Sequence, residues 1–183
     1  MNRFLIECFP HEIAQSLCDK HIVKMPLEEA TMLSLAIYRY TGKDGETFAE
    51  FIERTGLQKG SPRHLTHPCT IWAGDTRANY MWGLKLLEEM SKEYTRRYGR
   101  VHKCSLHLPR LKELAIHIPD GNITEHPQCF GEVKERLQTQ EHWPINAYRS
   151  YYKWKYDLNA WMKKNKLHNT PRWLEGDDYA INT

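Results

Sequence analysis

Cys18-Asp19-Lys20-His21-Ile22-Val23-Lys24-Met25-Pro26-Leu27-Glu28-Glu29 is the stretch whose reading decides the fold and the candidate chemistry. Its residues are apolar or helix-prone, and on a helix His21, Lys24 and Glu28 stand at i, i+3 and i+7 and project from one face. A base, a cation and a carboxylate then share one wall. Periodicity alone favours a plainer reading, a solvated polar face opposite a core stripe of Ile22, Val23 and Leu27. The neighbouring sequence has to separate the two.

Working outward, Pro26 has no N–H and crowds the carbonyl four residues back, so it either kinks this helix or starts a new one. Beyond it Leu27, Ala30, Leu33, Ile37 and Tyr40 form one stripe to Gly42. On the upstream side Pro10 suits a first helical turn, and Ile13, Ala14, Leu17, Cys18 and Ile22 keep helical spacing into the opening stretch. Residues 3–8 are a short apolar run, either one strand or an extended arm on the core.

Further along, Thr47 with Glu50 has the form of a capping box that launches a short helix carrying Phe48, Phe51 and Ile52 to a stop at Gly56. A loop over 58–68 holds two basic residues and two histidines. From Cys69 to Tyr98 the pattern is helical, with Asp75 as an internal cap, Met81, Leu84, Leu87 and Met90 as the buried stripe, and Gly99 as the stop. Another short helix spans 110–116, and an irregular region runs to Trp143. Pro144 opens a last long helix through Tyr148, Tyr151, Tyr152, Leu158 and Trp161. Trp173 docks, and residues from about 174 to 183 fray. The sum is a mainly α fold, a single domain over 1–183 with little or no strand.

Composition narrows the classes. A chain of 183 residues suits one domain able to bury its own core. The net charge of +3 is too small to identify a nucleic-acid binder, so clustering of the basic residues matters more than their sum. Five cysteines, an odd number without a CxxC pair, argue against a disulfide framework or a zinc ribbon. No apolar run reaches the length of about 18 residues that a membrane span needs, and no leader pattern stands at the N-terminus. A reducing, cytoplasmic setting without membrane attachment is expected.

Three constellations could carry chemistry. In the opening stretch, Glu28 beside His21 and Lys24 supplies a carboxylate, a base and an amine, the parts that break a glycosidic or acyl bond. A lysine against an apolar wall can form a Schiff base with an aldehydic sugar. In the second, His67-Pro68-Cys69-Thr70-Ile71-Trp72 precedes Arg77, Asn79, Tyr80 and Trp82; an asparagine can bond a base edge, and tryptophan can stack on an extruded base. The alternative is a helix start whose aromatics are core. Neither His64, His67 and Cys69 nor His102, Cys104 and His107 matches a tetrahedral spacing, so no metal or other cofactor is expected. The third is a pair of basic, aromatic-laced segments, 94–103 and 148–156, in which Arg96, Arg97, Lys103, Arg149 and Tyr152 are placed to hold phosphates.

Ser16-Leu17-Cys18-Asp19-Lys20-His21 followed by Glu28 resembles the first active-site helix of the phage pyrimidine-dimer DNA glycosylases of the endonuclease V type. Tyr151-Tyr152-Lys153-Trp154-Lys155-Tyr156 is similar to that family's aromatic C-terminal segment. The chain also resembles a set of phage-encoded proteins, mostly without assigned function, in its Cys18–His21 start, His67-Pro68 with Trp72, Arg97-Tyr98-Gly99 and Ala147–Tyr152. The first resemblance implies a compact α-helical DNA glycosylase with Glu28 as catalytic carboxylate and His21 positioning the substrate. Two positions depart from it. Asn2 is too large for the expected Met removal that exposes the family's α-amino nucleophile, and Leu27 stands where the family has an arginine. The nucleophile is therefore open between Lys24, the Met1 amine and water.

The function expected is DNA base processing, namely a glycosylase, with or without lyase activity on abasic sites, acting on damaged or modified pyrimidines in DNA. Glu28, His21 and Lys24 form its catalytic set, and Asp19, His67, Trp72, Asn79 and Trp82 its substrate-binding set. A transferase or hydrolase acting on modified nucleotides or modified thymine, and a non-enzymatic nucleic-acid-binding protein, are the alternatives.

Overall fold

The computed structural model describes residues 2–130, 144–155 and 171–174. Among them the fold is mainly α: helices α1 (Pro10–Ser16), α2 (Asp19–Thr41), α3 (Phe48–Thr55), α4 (Pro68–Asp75), α5 (Arg77–Tyr98), α6 (Leu108–Leu114) and α7 (Ile145–Lys155), with short 3-10 turns between them and no strand. No described helix is long and apolar enough to cross a membrane. Residues 3–8 form an extended arm and not a strand.

The helix expected to run from Pro10 into the opening stretch is in fact two. Leu17 and Cys18 are both extended, and α2 starts at Asp19. The break has a physical cause in the groups that satisfy the two helix ends. Arg97, reaching over from α5, donates to the carbonyls of Gln15 at 2.9 Å and Leu17 at 2.8 Å, so a guanidinium closes the C-terminal end of α1. The Cys18 N–H goes to the Tyr152 hydroxyl at 3.0 Å, while the Cys18 carbonyl accepts the His21 and Ile22 N–H groups that open α2. Once started, α2 runs through Pro26 without ending there.

Helix α2 is the spine. Its first half, with Ile22 and Met25, joins Phe4, Ile6, Ile13, Leu17, Leu86, Met90, Tyr148, Tyr151, Tyr152 and Trp173 in one apolar cluster. Its second half, with Ala30, Leu33 and Ile37, joins Phe51, Ala73, Tyr80, Leu84, Leu87, Leu111 and Ile118 in another. Leu27 and Tyr40, expected in the stripe, are 44% and 40% exposed, as is Met81 of α5 at 38%. Their positions fall at the edge of the face that the neighbouring helices cover.

The helix expected over 69–98 divides at Thr76, which is extended and takes the Asn79 N–H on its side chain at 3.1 Å; the cap lies one residue beyond Asp75. Gly99 ends α5 with φ of 65°, the left-handed value that glycine adopts without a Cβ penalty. The capping box at Thr47 and Glu50 and the stop at Gly56 stand as expected. Trp173 is buried against Tyr152 and donates to Glu7 at 2.7 Å. Leu158, Trp161 and the expected frayed tail beyond 174 lie outside the described residues.

A candidate active-site wall on helix α2

The arm lies along α2 and makes a contact with it at three successive residues. Phe4 stacks on the His21 ring with centroids 4.7 Å apart. Arg3 forks onto Glu29, its Nε and NH2 donating to the two carboxylate oxygens at 2.7 and 2.6 Å. The Asn2 backbone N–H donates to Glu28 at 3.0 Å. Adjacent carboxylates thus do different work: Glu29 points into the core and Glu28 to the surface, where its side chain is 13% exposed.

The Arg3–Glu29 pair is fully buried, each side chain 1% exposed, and it sits between the two apolar clusters. Arg3 also donates to the Cys69 carbonyl at 3.1 Å and lies over the Trp72 ring, 5.0 Å from its centroid. Burial pushes the Glu29 carboxyl above its ordinary range, even against the opposing pull of Arg3. For Arg3, burial is the largest influence and acts against its charge, but the Glu29 charge and hydrogen bonds outweigh it and raise the guanidinium pKa. Helix α5 makes room for the pair with Gly83: a Cβ there would stand 2.6 Å from Glu29 Oε1 and 3.1 Å from Arg3 NH2.

His21, Lys24 and Glu28 do lie on one side of α2, but in different surroundings. His21 is buried, with Nδ1 2.7 Å from the Tyr152 hydroxyl and its ring between Phe4 and Tyr152. The Lys24 ammonium is 60% exposed and 2.9 Å from Glu28 Oε1. Among the described residues Lys24 stands open and ion-paired, not enclosed by an apolar wall of the kind that favours a Schiff-base lysine. Glu28 accepts one hydrogen bond, from the Asn2 backbone, and forms an ion pair with the exposed Lys24 ammonium one turn earlier.

Several residues expected to touch substrate or DNA are engaged in the structure instead. Asp19 is buried and accepts from Arg97 at 3.1 Å. Arg97, with a side chain 1% exposed, bonds Glu93, Asp19 and the α1 carbonyls, so it is not presented to a phosphate. The same Glu93 carboxyl, though burial works against its charge, is held below its ordinary range by Arg96 and Arg97. Asn79 is fully buried: its amide donates to the Trp72 carbonyl and Thr124 Oγ1 and accepts the Thr124 N–H, so it fastens the 119–130 segment and is not turned to a ligand. Trp72 is buried and donates to the Thr124 carbonyl at 3.2 Å, while the half-buried Trp82 packs edge-on against it. His67 caps α4, its Nδ1 accepting the Cys69 N–H at 3.2 Å. Arg149 is paired with Glu7 at 2.5 Å and lies over Trp173.

Other basic groups remain at the surface near α2. The His102 ring is 3.1 Å from the Val23 carbonyl and packs edge-on against Tyr94. That contact sets the turn holding Arg100 and Lys103, both exposed, beside the first half of α2, which exposes Lys20 and Lys24. Arg96 is 37% exposed and paired with Glu93. The exposed basic groups near the first half of α2 are therefore Lys20 and Lys24 on the helix itself and Arg100 and Lys103 on the turn that meets it at Val23, whereas Arg97 and Arg149 are engaged by Asp19, Glu93 and Glu7.

Sequence reading passes over the arm as a ligand of Glu28, Glu29 as the partner of Arg3, and the segment around Cys129. A charged Arg3 at the head of an apolar run is the one signal that the arm carries a buried partner. Cys129 is brought to Cys69 across 60 residues, with Sγ atoms 3.7 Å apart, and local spacing holds no trace of that approach. Compared with family models, with curated proteins and with solved structures, the chain finds no match.

Proposed function

We propose that the protein is a DNA base-processing enzyme, a glycosylase that releases a damaged or modified pyrimidine, with Glu28 as its catalytic carboxylate. The observation that carries this reading is the placement of Glu28. Its carboxylate accepts the Asn2 N–H, is ion-paired with Lys24 and is partly open to solvent, on the same side of α2 as the buried His21, and the first half of that helix also exposes Lys20 and Lys24. Breaking an N-glycosidic bond develops positive charge on the sugar, and a fixed carboxylate stabilises that charge as it forms. The exposed cations Lys20, Lys24, Arg100 and Lys103 are the groups that would meet the phosphates on either side.

We take water as the nucleophile in this reading, because Lys24 is solvated and ion-paired; the alternative Met1 amine lies outside the described residues. The bond from C1′ to the base breaks, water adds its oxygen to C1′, and the base leaves with a proton. His21 serves a positioning role in this reading: its ring is stacked on Phe4 and hydrogen-bonded to Tyr152, which anchors the first turn of α2, two turns before Glu28. The test is incubation with duplexes carrying uracil, pyrimidine dimers or hypermodified pyrimidines, scored for abasic sites and free base. Release of free base from at least one of these substrates is expected. No abasic sites on any of them would overturn the proposal, and a borohydride-trapped adduct mapping to Lys24 or to the Met1 amine would overturn the choice of water.

A further inference from the structure

The N-terminus of α4 and the segment that crosses it bring together three groups that neither the candidate wall nor the basic surface uses. His67, Cys69 and Cys129 each offer one ligand atom, and those atoms all lie within 4.8 Å of one another. The two sulfurs are 3.7 Å apart. A tetrahedral zinc with Zn–S bonds of about 2.3 Å separates two thiolates by about 3.8 Å, so the sulfur pair already has the spacing of one edge of such a site. The nitrogen-to-sulfur edges of that tetrahedron are about 3.6 Å, so from a span of 4.8 Å the His67 nitrogen needs to close by about 1.2 Å at most.

We infer that His67, Cys69 and Cys129 form a binding site for a thiophilic divalent cation of the Zn2+ type, with water in the fourth position. Two thiolates and an imidazole balance the ion's charge and select it over hard cations, which prefer oxygen. The neighbouring Cys129 sulfur, and then burial, hold the Cys69 thiol well above its usual range, so coordination must displace its proton. Both thiols release their protons to solvent as the two Zn–S bonds form, and no oxidation or reduction is involved. Coordination through either ring nitrogen of His67 gives up the long cap bond to the Cys69 N–H, since a proton on Nδ1 or a metal there removes its lone pair.

The site's place in the fold gives the ion a positioning task. Cys129 lies on the segment whose backbone holds Asn2, its carbonyl accepting the Asn2 side-chain amide at 3.0 Å, while the Pro127 carbonyl accepts the Tyr148 hydroxyl at 2.9 Å. Two buried acceptors on the same segment, His126 Nε2 and Gln128 Oε1, have no hydrogen-bond partner among the described residues. Fixing Cys129 to α4 therefore fixes the residue that bonds Glu28. The metal site stands on its own geometry and does not depend on the glycosylase reading.

The test is a Co2+ titration of the reduced, chelator-treated full chain, followed by competition with Zn2+. The expected result is a thiolate-to-cobalt charge-transfer band with tetrahedral ligand-field bands, saturating at one ion per chain and bleached by Zn2+. Cys69→Ser and Cys129→Ser should each lose the band, and Cys8→Ser, at an exposed thiol outside the cluster, should keep it. Circular dichroism checks that each variant is folded, and the wild-type titration needs no variant. No charge-transfer band in the reduced wild type overturns the inference. So does a band that survives in folded Cys129→Ser, or oxidation of the two thiols to a disulfide as the sole reaction of the pair.

Discussion

Removing the arm's buried cation should show how firmly Asn2 is held at Glu28. Arg3→Met keeps an apolar stem beside Trp72 but leaves Glu29 charged and enclosed, with its two hydrogen bonds from Arg3 gone. Breaking a buried ion pair from one side costs about 3–5 kcal/mol, because the remaining charge has neither water nor a partner. For a chain of this size, each kcal/mol moves the midpoint of melting by about 2–4 °C, so a fall of roughly 6–20 °C is expected. The loss must also depend on pH. Burial already raises the Glu29 carboxyl above its ordinary 4.5, and without Arg3 the two influences that lower it vanish, so it rises further. A carboxyl with a folded-state pKa above its unfolded value binds its proton more tightly when folded. Its favourable contribution is complete below the unfolded pKa and is lost as pH rises through the folded one. The deficit of Arg3→Met should therefore shrink towards pH 4.5 and widen towards neutrality. Urea unfolding followed by circular dichroism at acid and neutral pH measures it, with Arg3→Met/Glu29→Leu as the control that should regain most of the loss. A cost below about 1 kcal/mol, or a deficit that does not change with pH, would refute the reasoning.

Three further outcomes follow from particular contacts. Gly83→Ala places a methyl 2.6 Å from Glu29 Oε1, so despite the usual helix gain it should destabilise by about 1–3 kcal/mol in denaturant unfolding, and a more stable variant would contradict the packing. His126 is enclosed by Trp72, Trp82 and Tyr148; burial, aided by the Arg3 charge, lowers its pKa from 6.5 to about 3. The folded state resists protonation there, so stability is full above pH 6.5 and falls by about 1.4 kcal/mol per pH unit between 6.5 and about 3. His126→Phe should flatten that limb of the pH–stability curve. In DNA binding, Lys103→Ala should reduce the salt slope by about one for its lost phosphate contact, whereas Arg97→Met should unfold the α1–α2 junction before any change in slope can be read.

Much of the helical framework can be read from local signals. Thr47 with Glu50, Gly56, Gly99 and the Ala30, Leu33, Ile37 stripe carry their reasons within a few residues, and the structure keeps all of them. The break between α1 and α2 cannot be read this way, because it is made by Arg97 and Tyr152, about 80 and 134 residues from the groups they satisfy. Of the opening stretch, helical spacing places His21, Lys24 and Glu28 on one side of α2. It cannot say that Glu29 turns inward to Arg3, since that choice is made by an arm approaching from outside the helix. Arg97 and Asn79 show the same limit from the other side. Residue type fits both for ligand contact, yet each is enclosed by a long-range partner, Asp19 in one case, beside the local Glu93 one helical turn away, and Thr124 in the other.

The central claim rests on Glu28, and its most direct measurement is single-turnover base release by wild type and Glu28→Gln on the same modified-pyrimidine duplex. The substituted amide keeps the side chain's size and can still accept from the Asn2 N–H, so the fold should be unchanged, and Lys24, freed of its ion pair, should hold DNA no more weakly. Loss of a fixed charge facing the developing cation should lower the rate by about 100- to 1,000-fold. Equal rates for the two proteins, with DNA binding also equal, would contradict the assignment of Glu28 as the catalytic carboxylate.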